Sequence, residues 1–239
     1  MKINADKCIF RGTFEISDRL LFVDCFFFLN FAPDFVKGFT EKLVFKFFSM
    51  EVIKTDIEGL VILQPRVFED ARGYFFESYS KRDFDKQVRV INFVQDNESK
   101  SSYGVVRGLH YQKWPFTQSK LVRVHTGKVL DVAVDIRKGS PTYGKSVAVE
   151  LSGKNRRMLF IPRGFAHGFS VLSEEAVFEY KCDDFYHPES EGAIAWDDPD
   201  LAIDWRVPAD KIILSEKDKR HPRLCEIESH FDYNVDLYK

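Results

Sequence analysis

From residue 50 onward, apolar and polar residues alternate in short runs broken by Gly, Pro and Ser, a period of two that suits half-buried strands and not helices. The clearest run is 120–137. There Leu121-Val122-Arg123-Val124 leads into Thr126-Gly127, and beyond it Leu130, Val132, Val134 and Ile136 share one face. This stretch reads as a β-hairpin. Further strands are expected at 59–63, 73–77, 88–95, 104–111, 146–151, 157–161, 168–172 and 176–181. Helical patterning is confined to Lys81–Gln87 and the segment after Pro208. Many short strands with turn residues between them specify an all-β sandwich or barrel, with a jelly roll foremost, and no internal repeat is present.

A chain of 239 residues, 44% apolar and 30% charged, has the means to bury one sizeable core. One domain over 50–225 is expected, followed by a C-terminal tail, 226–239, without an interpretable pattern. The first 49 residues differ in kind: they hold 12 of the 24 phenylalanines. Two readings of them stand: an added segment that packs on the domain, or a start assigned too early, with Met50 opening a chain of 190 residues (239 − 49). The composition break favours the second. Asp24, Asn30, Pro33, Asp34 and Lys37 interrupt the apolar stretch well short of the roughly 18 residues that a membrane span needs.

Thirty-five Lys and Arg against 37 Asp and Glu leave a formal charge of −2, so no general field attracts a nucleic acid polymer, and an anionic ligand must be met by a local cluster. Cys8, Cys25, Cys182 and Cys225 are scattered and form no C-x-x-C pair, which argues against a zinc or redox motif and suits a reducing cytoplasm.

Of the six histidines, two interrupt apolar strands beside glycines: His110 in Arg107-Gly-Leu-His-Tyr-Gln112 and His167 in Ile161-Pro-Arg-Gly-Phe-Ala-His-Gly-Phe169. A metal site of the cupin type wants a second histidine two positions on, and Gln112 stands there, so a metal is not expected. Read alone, His110 and His167 are hydrogen-bonded lining residues, Lys120 a solvated strand-edge lysine and Tyr180 a rim tyrosine.

Five segments, in order and suitably spaced, change that balance: Gly104-Val-Val-Arg-Gly-Leu-His-Tyr-Gln112, Gly127-Lys-Val-Leu-Asp-Val-Ala-Val-Asp-Ile-Arg137, Ser140-Pro-Thr-Tyr-Gly144, the His167 segment, and Ile194-Ala-Trp-Asp-Asp-Pro199. Over about 50–223 the chain resembles the dTDP-4-dehydrorhamnose 3,5-epimerase family. The resemblance implies a double-stranded β-helix of the cupin type, assembled as a homodimer and free of cofactor. The implied reaction inverts carbons 3 and 5 of dTDP-4-dehydro-6-deoxy-D-glucose in dTDP-L-rhamnose biosynthesis.

By the same resemblance His110 is the base, Asp218 its orienting carboxylate, Tyr180 the acid on the opposite face and Lys120 the donor to the enolate oxygen. Tyr186 matches the tyrosine that stacks on thymine, and Arg72 and Arg107 match pyrophosphate ligands. Gln95, Asp96, Asn97, Glu77, His167, Glu191 and Lys217 fall on further substrate-contact positions. Histidine, with an ordinary pKa of ~6.5, suits a base at neutral pH, and a phenol near ~10 stays protonated as an acid. Strict alternation would set Arg107 and His110 on opposite faces of one strand, and a bulge at Gly108 would reconcile them. Two alternatives stay open, a monoepimerase acting at carbon 3 or 5 alone and a non-catalytic jelly roll that binds a sugar nucleotide.

Overall fold

The computed structural model describes residues 50–239, and both readings of residues 1–49 lie outside the described residues. Two antiparallel sheets carry the fold. The first has the order β1 (Glu51–Lys54), β2 (Val61–Gln64), β10 (Met158–Ile161), β7 (Lys120–Thr126), β12 (Glu175–Cys182), β5 (Gln95–Ser102). The second runs β13 (Glu191–Ala193), β6 (Val106–Gln112), β11 (Phe165–Val171), β8 (Lys128–Asp135), β9 (Ser146–Ser152). A separate hairpin pairs β3 (Phe68–Asp70) with β4 (Gly73–Phe75). The architecture is the jelly roll that the alternation specified.

Three apolar layers explain the strand pattern. Between the sheets, Val122, Val124, Leu159 and Phe178 of the first meet Val129, Ala133, Leu151, Phe165 and Phe169 of the second. Phe169 and Phe178 stack across that gap with centroids 4.3 Å apart. The outer face of the second sheet presents Leu130, Val132 and Val134, covered by Ile194, Leu201, Trp205, Leu224, Phe231 and Leu237. The C-terminal tail therefore supplies core residues to this layer. The outer face of the first sheet is sealed by α1 (Lys81–Gln87), whose Phe84 packs on Leu63, Leu121, Met158 and Phe160. Ser80 caps that helix by accepting from the Asp83 amide.

The hairpin expected at 120–137 is corrected: β7 and β8 lie in different sheets, and the Gly127 turn carries the chain from one to the other. Alternation fixes which face of each strand is buried and leaves its neighbour open, so two inward-facing strands joined by a tight turn read alike in either arrangement. Gly127 has φ +78°, and a Cβ there would fall 2.0 Å from the Glu175 carbonyl oxygen. The expected strand at 88–95 is displaced to β5, and the segment after Pro208 forms three short 3₁₀ turns, Ala209–Lys211, Asp218–Arg220 and Leu224–Glu226, in place of a helix.

Candidate active site

His110 reaches the gap between the sheets because β6 carries an extra residue. His110 pairs with His167 and Arg107 with Phe169, so three steps along β6 oppose two along β11. Gly108 makes this possible. A Cβ on it would meet Gly168 Cα at 2.5 Å, and its φ of +132° suits glycine alone. The bulge brings Arg107 toward the first sheet, where its Nε donates to Ser101 Oγ at 3.2 Å.

His110 Nε2 lies 2.7 Å from Asp218 Oδ1, and Ser215 Oγ donates to Oδ2 at 2.7 Å. The Asp218 side chain is only 5% exposed. Burial alone would raise its carboxyl, but hydrogen bonds from His110 and Ser215 outweigh burial and hold it at about 2. Asp218 is thus a carboxylate at neutral pH and accepts from Nε2–H. That fixes the His110 tautomer and leaves Nδ1 as the ring's lone-pair nitrogen.

From the facing sheet come Lys120, Tyr180, Gln95 and Asn97, which line one cavity of about 300 Å3 together with His110, Gln112, Gln118, Tyr186 and Glu191. Burial pushes the Lys120 ammonium below its ordinary value, against the opposing pull of Cys182, Asp131 and Glu191. Its Nζ stands 5.7 Å from the Tyr180 ring centre. Burial likewise raises the Tyr180 phenol, so this group keeps its proton at neutral pH. Packed sheets stand about 10 Å apart, which leaves a slot suited to a sugar ring wherever side chains stop short of interdigitating.

At the mouth, Tyr186 is about half exposed and donates from its hydroxyl to Glu191 at 3.0 Å, while its amide donates to Gln95 Oε1 at 3.1 Å. Glu191 is also bonded by Lys217. Gln112 holds the Tyr186 loop by donating to Phe185 O at 3.0 Å and accepting from the His187 amide at 2.6 Å. His167 is buried behind His110 and bonds Asp131 at 3.0 Å. Its proton affinity is lowered, first by burial.

Three candidates stand elsewhere. Asp96 points to the other face of β5, where it pairs with Lys181. Arg72 sits at the tip of the β3–β4 hairpin, 85% exposed and bonded to Asp70. Glu77 follows that hairpin and is not part of the cavity wall. Residue-by-residue reading missed Gln118, Ser215 and His221. His221 was a separate histidine in the sequence, and only the fold sets it beside Asp218. His110, Asp218 and His221 form the one grouping among the described residues whose ligand atoms approach as a metal set would, within 4.8 Å of one another. Both imidazoles are turned onto the one carboxylate.

Known proteins resemble this chain over the stretch that carries these residues. The family model described as dTDP-4-dehydrorhamnose 3,5-epimerase matches residues 54–226. A dTDP-4-dehydrorhamnose 3,5-epimerase of Methanothermobacter thermautotrophicus is 51% identical over 175 residues, 73% of this chain and 94% of the relative. A crystal structure of the dTDP-6-deoxy-D-glucose-3,5-epimerase of Legionella pneumophila, in complex with dTDP-4-keto-L-rhamnose, superposes with a TM-score of 0.75. It is 49% identical and covers 78% of this chain and 100% of that one. A 3'-monoepimerase of Streptomyces bikiniensis is more distant, at 31% identity and a TM-score of 0.68 over 72% of this chain and 87% of that one.

Proposed function

The chain belongs to the dTDP-4-dehydrorhamnose 3,5-epimerase family, and on that premise we propose how its own residues convert dTDP-4-dehydro-6-deoxy-α-D-glucose to dTDP-4-dehydro-β-L-rhamnose. The observation that carries the assignment is the placement of a His–Asp pair and a phenol on facing sheets of one cavity. His110 Nδ1 removes the proton from the carbon beside the 4-keto group. Charge moves to the keto oxygen, where the Lys120 ammonium meets it. Such a donor contributes about 3 kcal/mol when aimed at the developing charge. Tyr180 delivers a proton to the opposite face, which inverts the centre; the imidazolium then gives its proton to solvent, the phenolate takes one from solvent, and the cycle repeats at the second carbon.

Asp218 stabilises the imidazolium formed after proton removal, as the carboxylate does in a serine-protease triad. Tyr186, exposed at the mouth, offers a face for the thymine ring; Gln95 and Asn97 of the cavity wall, with Arg107 beside Ser101 and Lys217 beside Glu191 just outside it, bind the nucleotide and sugar oxygens. We further propose a cytoplasmic homodimer. The β3–β4 hairpin exposes Tyr74 and Phe75 by more than half, a surface suited to a second copy, and such contact is a route by which Arg72 and Glu77 would meet substrate. No helix among the described residues is long and apolar enough to cross a membrane.

Proton NMR of the reaction in deuterated buffer tests the activity. Solvent deuterium should enter at both carbon 3 and carbon 5 with the wild-type chain, and at neither with His110→Ala. Label at one carbon only would instead establish a monoepimerase, and binding without label would establish a non-catalytic module.

A further inference from the structure

Asp218 Oδ1 is approached by two imidazoles, and the second has no part in the proton transfers described above. His221 Nε2 lies 3.2 Å from the oxygen that His110 Nε2 reaches at 2.7 Å. The two rings stand at 90° with centroids 5.6 Å apart. The His221 side chain is 10% exposed. Its backbone is fixed by the 3₁₀ turn Asp218–Arg220 before it and by Pro222 after it, whose carbonyl accepts from the Ala195 amide at 2.7 Å.

Burial lowers the proton affinity of His221, with His110 and Lys217 reinforcing and Asp218 opposing. A neutral His221 beside a carboxylate donates from Nε2–H, so one oxygen serves two N–H donors. The charged groups facing this pair are Glu191 of β13 with its partner Lys217, Lys120 of β7, and His167 of β11. On the solvent side of His221, the adjoining cavity wall carries Lys113, Glu228 and His230. None of these replaces the second donor on Oδ1.

We propose that His221 is a positioning residue that acts through Asp218, holding the carboxylate against His110 and limiting how strongly it favours the protonated ring. This deepens the reading of His110 as base and rests on it. A second hydrogen bond spreads the carboxylate charge and leaves less of it for the imidazolium. Without that donor, Asp218 binds protonated His110 more strongly, and the base is lost to solvent protons at a higher pH.

His221→Phe keeps a ring of similar size without the donor, and His221→Gln keeps an N–H of similar reach. In His221→Phe the acidic limb of the kcat/KM profile should move up by about one pH unit, giving up to about a tenfold loss along that limb that disappears on the alkaline plateau. His221→Gln should keep the wild-type limb. NMR titration of the His110 imidazole in the ligand-free protein should move upward in His221→Phe as well, a readout independent of turnover. If the ring titration moves and the kcat/KM limb does not, the His221 assignment stands and the assignment of His110 as base fails. A loss equal at every pH with an unmoved ring titration, or His221→Gln behaving as His221→Phe, would overturn the proposal.

Discussion

Strands β7 and β12 take part in two histidine–carboxylate settings, one on each face of their sheet, and only the inner one faces the cavity. On the outer face His125 of β7 bonds Glu179 of β12 at 2.5 Å, with Arg123 and Glu98 beside them. One residue further along β12, Tyr180 turns inward with Lys120 of β7 and meets His110 and Asp218 across the gap. The bonded pair is the same chemistry in both places. What differs is the company: on the outer face water and a neighbouring guanidinium share the charge, whereas the inner pair confronts an opposed acid and a buried ammonium in a cavity. Alternation along the strand, not residue type, decides which pair faces the cavity.

The largest effect expected from breaking this contrast is His110→Ala, a loss of about 10,000-fold or more in kcat, set against a change of no more than about twofold for His125→Ala. Steady-state epimerisation coupled to reduction of the product measures both. Asp218→Asn keeps the shape but favours the wrong His110 tautomer, and about a 1,000-fold loss is expected. Glu179→Gln, its outer counterpart, should leave kcat within about twofold. Lys120→Met removes the enolate donor and should reduce kcat by about 100- to 1,000-fold, with a smaller change in KM.

A smaller effect falls on stability. The Asp218 carboxyl titrates at about 2 in the fold, below its unfolded value of 3.8, so its contribution is present above pH 4 and is lost as pH falls toward 2. Integrated over that window this is about 2 kcal/mol. Chemical denaturation at pH 5 and pH 2.5 should show the loss in the wild-type chain and a reduced loss in Asp218→Asn. The outer pair is partly exposed, with His125 at 34% and Glu179 at 20%. Replacing Glu179 by Gln should therefore cost at most about 1 kcal/mol.

The same contrast marks what the sequence made legible. β8, with Leu130, Val132 and Val134 on one face, is legible from apolar alternation because it buries apolar side chains, whereas α1 carries only Phe84 as an apolar residue and gives a weak helical signal. β5 was placed too early because Gln95-Asp-Asn-Glu-Ser-Lys-Ser-Ser102 has no apolar face: its inward positions Gln95 and Asn97 line the cavity. A strand that builds a polar site loses the signal that identifies strands. The bulge at Gly108 was legible as a conflict between Arg107 and His110, and the register resolves it. The partnership of His110 with Asp218 follows from the family resemblance, not from spacing, since loops alone bring together residues more than a hundred positions apart. The sheet to which β8 belongs was not legible, because a tight turn at Gly127 serves a hairpin and a crossover equally well.

If His110 and Tyr180 act on opposite faces of one sugar ring, the Tyr180→Phe variant incubated with substrate in deuterated buffer will separate proton removal from inversion. His110 can still remove a proton and return solvent deuterium to the same face, so NMR of the recovered sugar should show label with unchanged configuration at the reacting carbon, and inversion slowed by about 100-fold or more. Inversion at near the wild-type rate in that variant would show that Tyr180 is not the acid on the second face.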